Sequence, residues 1–204
     1  MNNYLQRMLL VAALLLLSAG AAVGLRNWLH PPLHLQAAKL LPEPVDIQDQ
    51  GYLVRVAGDT PIYFDKNVSH WVMLYFGYTT SPDTPLVLQA LGQMLKQFDG
   101  VDSQYKPMVI FVNLDPSQNK SDELEKFAQR FHPDMHGVTA HNDELARLTG
   151  FFGKQDWATN SSHIFILDPQ MRYIGSLAPP HRADVLYTDM EQLTHQLWRY
   201  HVQR

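Results

Sequence analysis

The chain has 204 residues, 46% of them apolar and 18% charged, with a formal net charge of −4, which suits one folded domain with a full core plus a targeting segment. The mild acidity and the lack of any Lys/Arg cluster argue against a nucleic-acid partner. There is no cysteine, so disulfides, a thiol nucleophile, thiolate metal ligation and dithiol redox cycling are all excluded.

Met8 to Leu25 is an uncharged apolar run of 18 residues. As a helix it would span roughly 27 Å, close to the hydrocarbon thickness of a bilayer. Arg7 and the amino terminus precede it, which favours a cytoplasmic N-terminus and export of the remainder of the chain. A cleaved signal peptide is the competing reading, because Ser18-Ala19-Gly20-Ala21-Ala22 offers small-residue cleavage positions. The run continues past them to Leu25, so residues 1–25 are expected to be a signal-anchor transmembrane helix. Residues 26–46 carry Pro31, Pro32, Pro42 and Pro44 with little apolar periodicity, which reads as a semi-rigid, proline-stiffened stalk. Residues 47–204 are then one domain.

Within that domain Trp71 to Phe76 is a continuous apolar run, as expected of a strand buried on both faces. Thr84 followed by Pro85 looks like an N-cap and first helical residue, and Leu88, Leu91, Leu95 and Phe98 come next at helical spacing. Met108 to Leu114 reads as a second buried strand. Ser121 can cap a helix whose Leu124, Phe127, Ala128 and Phe131 share a face. A shorter helix is expected from Asn142, with Leu145, Leu148 and Phe152 inward. Ile164 to Leu167 is a third strand, and Asp168-Pro169-Gln170-Met171 turns it back through Tyr173-Ile174 as a hairpin. Leu186, Met190, Leu193 and Leu197 mark a last helix. Helices between apolar strands imply parallel crossovers and the hairpin an antiparallel edge, giving an α/β domain with a central mixed sheet flanked by helices.

The run Phe76-Gly77-Tyr78-Thr79-Thr80-Ser81-Pro82-Asp83-Thr84-Pro85 resembles the signature of the Sco/SenC proteins, a strand followed by FGYTxCPDxCP and a helix. Phe111-Val112-Asn113-Leu114-Asp115-Pro116 is similar to that family's second strand, Gly137-Val138-Thr139 to its Gly-Leu-Thr stretch, and Ser162 to Pro169 to the segment that begins with its copper-binding histidine. The similarity covers roughly residues 46–198. It implies a thioredoxin-like fold, a membrane-anchored protein of the bacterial inner membrane with its domain in the periplasm or an equivalent exported space, and a part in cytochrome c oxidase assembly.

In the family two cysteines and that histidine hold copper, and the reduced cysteines act on thiols of the oxidase. Here the first cysteine position is Ser81, and the second falls on Pro85 without a gap or on Thr84 with one residue fewer in the loop. The family's Arg-Asp-Thr is replaced by Gln118-Asn119-Lys120, and only His163 keeps its place. Copper(I) prefers soft thiolate or thioether ligands and copper(II) several N, O or S donors, which one serine hydroxyl and one imidazole do not supply. Thiol–disulfide exchange needs a thiolate. The expectation is therefore a domain with no catalytic residue and no cofactor, not an enzyme, with His163 as the single retained metal-ligand position. Its partners would be the membrane, through the N-terminal helix, and respiratory oxidase subunits or copper-handling proteins. Two alternatives stand beside this: a metallochaperone whose copper ligands have moved to other histidines and methionines, and a thioredoxin-like binding module unrelated to oxidases.

A relocated site would be sought first in HPDMHGVTAH, where His132, His136, Met135 and His141 are densest. Pro133 argues against a continuous helix there, and a solvated loop is the plainer reading. His30 and His34 flank Pro31-Pro32 and read as surface residues, His181 after Pro179-Pro180 falls in a loop and points to no role, and Met73, Met94 and Met190 fit core positions. Ser81 with His163 does not make a nucleophilic pair, since there is no G-x-S-x-G elbow. Asp83 and Asp115 lie at strand ends where α/β folds place functional groups, and capping or turn roles explain them as well.

Overall fold

The computed structural model describes residues 33–47, 52–55, 61–63, 70–115, 117, 121–153 and 162–201, with the isolated positions 18 and 21. The chain divides into two compact units, Met1–His34 and Leu35–Arg204. The expected anchor over 1–25 falls almost wholly outside the described residues, and among those described no helix is long and apolar enough to cross a membrane.

The second unit is built on the apolar runs read from the sequence. Strands β4 (Val72–Gly77), β5 (Met108–Asn113) and β7 (Ile164–Leu167) are buried on both faces, apart from the half-buried Met108. They take the centre of an eight-stranded sheet ordered β1-β8-β7-β4-β5-β6-β2-β3. The other strands are β1 (Ala38–Asp46), β2 (Tyr52–Arg55), β3 (Pro61–Tyr63), β6 (Met135–Thr139) and β8 (Arg172–Leu177). β4, β5 and β6 are parallel, joined by helices α1 (Asp83–Gln97) and α2 (Ser121–Gln129), whereas every other pairing is antiparallel. After α3 (Asn142–Gly153) the β7–β8 hairpin and α4 (Ala183–His201) complete the expected thioredoxin-like order.

Alternation along the strands divides the core. Val72, Leu74, Phe76, Ile110, Val112 and Phe165 meet Leu145, Leu148 and Phe152 of α3 on one face. Phe152 is the hub, with ring centroids 4.6 Å from Phe165, 5.3 Å from Tyr173 and 5.4 Å from Phe76. On the other face Tyr75 stacks on Phe111, Phe111 meets Phe127 of α2, and Phe98 after α1 meets Tyr187 of α4 at 4.7 Å. Helical spacing identifies the inward residues correctly: Leu88, Leu91, Leu95, Phe98, Leu124, Leu148, Met190 and Leu193 are fully buried.

Three expectations are corrected. Residues 38–46 are not stalk but the edge strand β1, paired with β8. Its prolines are tolerated because Pro42 and Pro44 fall in the irregular stretch between Leu40 and Val45, where the register shifts and no ladder donor is required. HPDMHGVTAH is not a solvated loop: residues 135–139 form β6, parallel to β5, with Met135 and Val138 fully buried. The first helix starts at Asp83 with Pro82 at its N-cap, not with Thr84 capping and Pro85 first. The expected turn at Asp168 is present: Asp168 Oδ1 accepts from the N–H of Gln170 (2.9 Å) and of Arg172 (3.0 Å), and Met171 takes φ 57°.

Candidate functional site

Strand direction decides which residues meet. The C-terminal ends of the parallel strands, at Gly77, Asn113 and Thr139, lie at one edge of the sheet. Because β7 runs antiparallel with Ile164 opposite Tyr75, Ser162 and His163 arrive at that same edge. Leu177 pairs with Ile164, so residues 178–182 also leave from there. The topology thus gathers the Ser81 turn, His163, His181, Asp115 and His141 at one end, as α/β sheets gather functional groups.

The turn after β4 is held by backbone and hydroxyls. Ser81 N–H donates to Tyr78 C=O (3.0 Å), and the Ser81 hydroxyl accepts from Asp83 N–H (3.3 Å), serving the helix start that Pro82 leaves without a side-chain cap. Thr84 is fully buried, its Oγ1 3.4 Å from the Tyr75 hydroxyl. Burial pushes the Tyr75 phenol above its ordinary range, an effect the Thr84 contact partly offsets and the Asp83 charge reinforces. A side chain on Gly77 would stand 2.8 Å from Thr84 Oγ1 and 3.1 Å from the Tyr75 hydroxyl, so glycine is what lets strand and helix close up. Pro85, one residue further round the helix, is half-buried.

Asn113, which no sequence pattern singles out, ties this edge together. Fully buried, it accepts from Thr79 N–H at Oδ1 (3.4 Å), donates from Nδ2 to Asp115 C=O (2.6 Å), and its carbonyl accepts from the Thr139 hydroxyl (3.0 Å). The one available signal is a polar residue ending an otherwise apolar buried strand. Asp115 accepts from Ser117 N–H (3.0 Å) and Ser117 Oγ (2.6 Å), and Asp83 opens the first turn of α1. Both aspartates have local structural roles.

His163 is half-buried before β7. Beside it, His181 donates from Nε2 to the Ser162 carbonyl (2.5 Å), which fixes Nδ1 as the bare nitrogen; Nδ1 is buried and has no partner among the described residues. Burial holds the His181 imidazole below its ordinary pKa, the bond to Ser162 opposing and the neighbouring His163 reinforcing the shift. His181 lies in a loop, as expected, and from there it buttresses the segment that carries His163.

The histidine-rich run is divided by β6. His132 precedes the strand, buried, and its Nδ1 accepts from Asp134 N–H (3.2 Å). His136 lies within it, its Nδ1 3.0 Å from the buried Glu125 carboxylate, which also accepts from Gly137 N–H (3.0 Å). His141 comes after the strand, at the opposite end. Met135, Met73, Met94 and Met190 are core residues, and His34 is exposed while His30 lies outside the described residues. Among the described residues no group of three or more His, Asp or Glu is spaced to hold a metal ion.

Comparison with known proteins adds the family. The SCO1/SenC family model matches residues 59–195. The mitochondrial SCO2 homologue of Bos taurus is 30% identical over 80 residues, 39% of this chain and 30% of that protein, so the chain spans under a third of the length of this curated relative. Among solved structures, apo Sco1 from Thermus thermophilus superposes with a TM-score of 0.64 at 19% identity, over 79% of this chain and 99% of that one. Copper-bound ScoI of Arabidopsis thaliana gives 0.60 at 19% identity, over 78% and 98%. These two likenesses establish the shared fold. The family match extends over well more than half of the sequence, and on that ground the chain belongs to the SCO1/SenC family.

Proposed function

We propose that this protein is a membrane-anchored accessory of cytochrome c oxidase assembly or copper handling that works by binding partner proteins, with the family's cysteine-based copper and thiol site lost and no enzymatic activity of its own. It rests in the inner membrane by its N-terminal helix and exposes the Sco-like domain in the periplasm or an equivalent exported space. The reading is supported by the donor set at the turn after β4. Copper is bound in the Arabidopsis relative, but the groups that would receive it here do not fit. The Ser81 hydroxyl is occupied at the helix start, Thr84 Oγ1 is buried against Tyr75, and Pro85 offers no donor. Only His163 retains a ligand's position, and a lone imidazole does not hold copper against water and competing chelators.

Serine has nearly the volume of cysteine, and the Ser81 hydroxyl accepts from the Asp83 N–H at the helix start, so the turn is held without sulfur. A retained shape without the ligands favours recognition over metal transfer. The experiment is metal analysis of the full chain, purified in detergent from copper-supplied cells, together with recovery of oxidase subunits in the same preparation. The expected result is co-purified oxidase subunits and copper far below one equivalent per chain, as expected where soft donors are missing. One tightly held copper per chain, lost on His163→Ala, would overturn it.

A further inference from the structure

A groove of 610 Å³ runs between α1 and the start of α4, lined on one side by Leu86, Gln89, Gln93 and Gln97 and on the other by His181, Arg182 and Asp184. It begins beside the Ser81–His163 end of the sheet, since His181 also buttresses the His163 segment. Its chemistry is neutral. The charges on the α4 wall cancel, Arg182 and Asp184 being paired at 2.6 Å. The α1 wall presents three exposed glutamines whose amides make no hydrogen bond among the described residues. Leu86, 65% exposed, is the largest apolar exposure among the described residues.

The glutamines recur every four residues, about 6 Å along the helix axis. An extended polypeptide presents a backbone amide to the same side every second residue, about 6.7 Å apart. Over three glutamines the two repeats drift by only about 1.4 Å, within reach of a side chain with three rotatable bonds. A primary amide carries both donor and acceptor, as a peptide group does, so each glutamine can satisfy one peptide unit. Apart from Arg182 and Asp184, which satisfy each other, the lining carries no carboxylate, lysine or arginine, so a charged segment gains no ion pair here and gives up part of its hydration on contact.

We propose that this groove binds an extended, uncharged polypeptide segment of a partner protein, its backbone amides paired with Gln89, Gln93 and Gln97 and one apolar side chain resting on Leu86. The inference rests on the partner-binding function proposed for the chain and names the kind of partner segment recognised.

The test titrates the full chain in detergent micelles with three blocked decapeptides: one of alternating serine and valine with a single leucine, and two in which glutamate or lysine replaces the serines. Saturable binding of the uncharged peptide is expected, weakened about tenfold by the double substitution Gln89→Ala/Gln93→Ala and again by Leu86→Asp. These side chains are exposed, so an unchanged melting profile certifies the variants as folded. Three results would overturn the proposal: no saturable binding of the uncharged peptide, equal binding of the charged ones, or binding indifferent to the double substitution. A dimer of the chain that the double substitution dissolves would also overturn it, by naming a second copy as the occupant. Recovery of oxidase subunits separates the two levels: subunits retained equally by the double variant sink the groove and leave the partner-binding function standing, whereas none with the unaltered chain sinks that function.

Discussion

The backbone N–H of Ala38, the first residue of β1, donates a 2.7 Å hydrogen bond to Asp189 Oδ2 in the middle of α4, 151 positions away. The same fully buried carboxylate accepts from Ala37 N–H at 2.8 Å and from Gln36 N–H at 2.7 Å. Three successive amides converging on one anion form a small nest. It fastens the chain at its entry into the domain to the last helix, where an edge strand holding two prolines has few ladder bonds to hold it.

Asp189→Ala should therefore cost roughly 1–3 kcal/mol of unfolding free energy, because it leaves part-buried donors without an acceptor. Asp189→Asn keeps one acceptor oxygen and should cost less. Urea unfolding measures the loss, and hydrogen exchange should accelerate selectively at residues 36–38. A cost below about 1 kcal/mol for the alanine would mean that the contact is incidental.

Two glycines should respond in opposite senses to alanine. A side chain at Gly137 of β6 would collide with the Leu124 backbone carbonyl of α2, so Gly137→Ala must part helix from strand, at about 1–3 kcal/mol. Gly150 in α3 has nothing within 4 Å of the added carbon, so Gly150→Ala should stabilise by about 0.5–1 kcal/mol through the unfolded chain and helix propensity. Thermal melts of both variants settle it; equal shifts would contradict the close packing of α2 on β6.

How much of this is readable from the chain depends on whether a residue's role is local. Continuous apolar runs mark β4, β5 and β7, and the Asp168 turn marks the β7–β8 hairpin, because each signal lies within a few residues. β1 is hidden by Pro42 and Pro44, which are acceptable only because that strand is an edge with an irregular register. β6 is hidden by His132, Pro133 and His136; its pairing with β5 and the Glu125 carboxylate, eleven residues from His136, make sense of them. β2 and β3 are too short to announce themselves. At the site the family resemblance points to Ser81 and His163, but Asn113 and His181 act through partners 34 and 19 positions away, a relation no spacing rule encodes.

Acid should weaken the fold in two separate stages. His132 is buried, which together with Lys106 depresses its pKa against the opposing pull of Asp134 and Asp99; His181 is depressed by burial as well. The unfolded chain then binds more protons than the folded one as pH drops through the ordinary histidine value near 6.5, so stability present above that pH declines below it. Asp134 is also held low, by its bond to Lys106, so its charged form is the one the fold favours; its contribution is lost only further down, below the carboxylate value of 3.8. Unfolding free energy measured from pH 8 to 5 should fall, and His132→Gln should flatten part of that slope. No slope in this range would show that neither imidazole is held neutral.

Restoring sulfur should restore copper, and the position of the second sulfur should matter. Thr84 is fully buried, its hydroxyl against Tyr75 and close over Gly77, so a thiol placed there points into the core. Pro85 is half-buried one residue further on, four after Ser81, with its side chain about 100° further round the helix. The double substitution Ser81→Cys/Pro85→Cys should therefore bind one copper(I) per chain, with two thiolates joining the His163 imidazole, a donor set that suits the soft ion. Ser81→Cys/Thr84→Cys should bind far less, and adding His163→Ala to the first pair should weaken its hold about tenfold or more, as the loss of one ligand implies. Bound copper after dialysis against a competing chelator is the readout. Equal uptake by both pairs would mean that the Thr84 side chain is not confined against Tyr75. Stoichiometric uptake by the unaltered chain would remove the chemical ground for a partner-binding role, since the hydroxyl at Ser81 would then have sufficed where the family uses a thiolate.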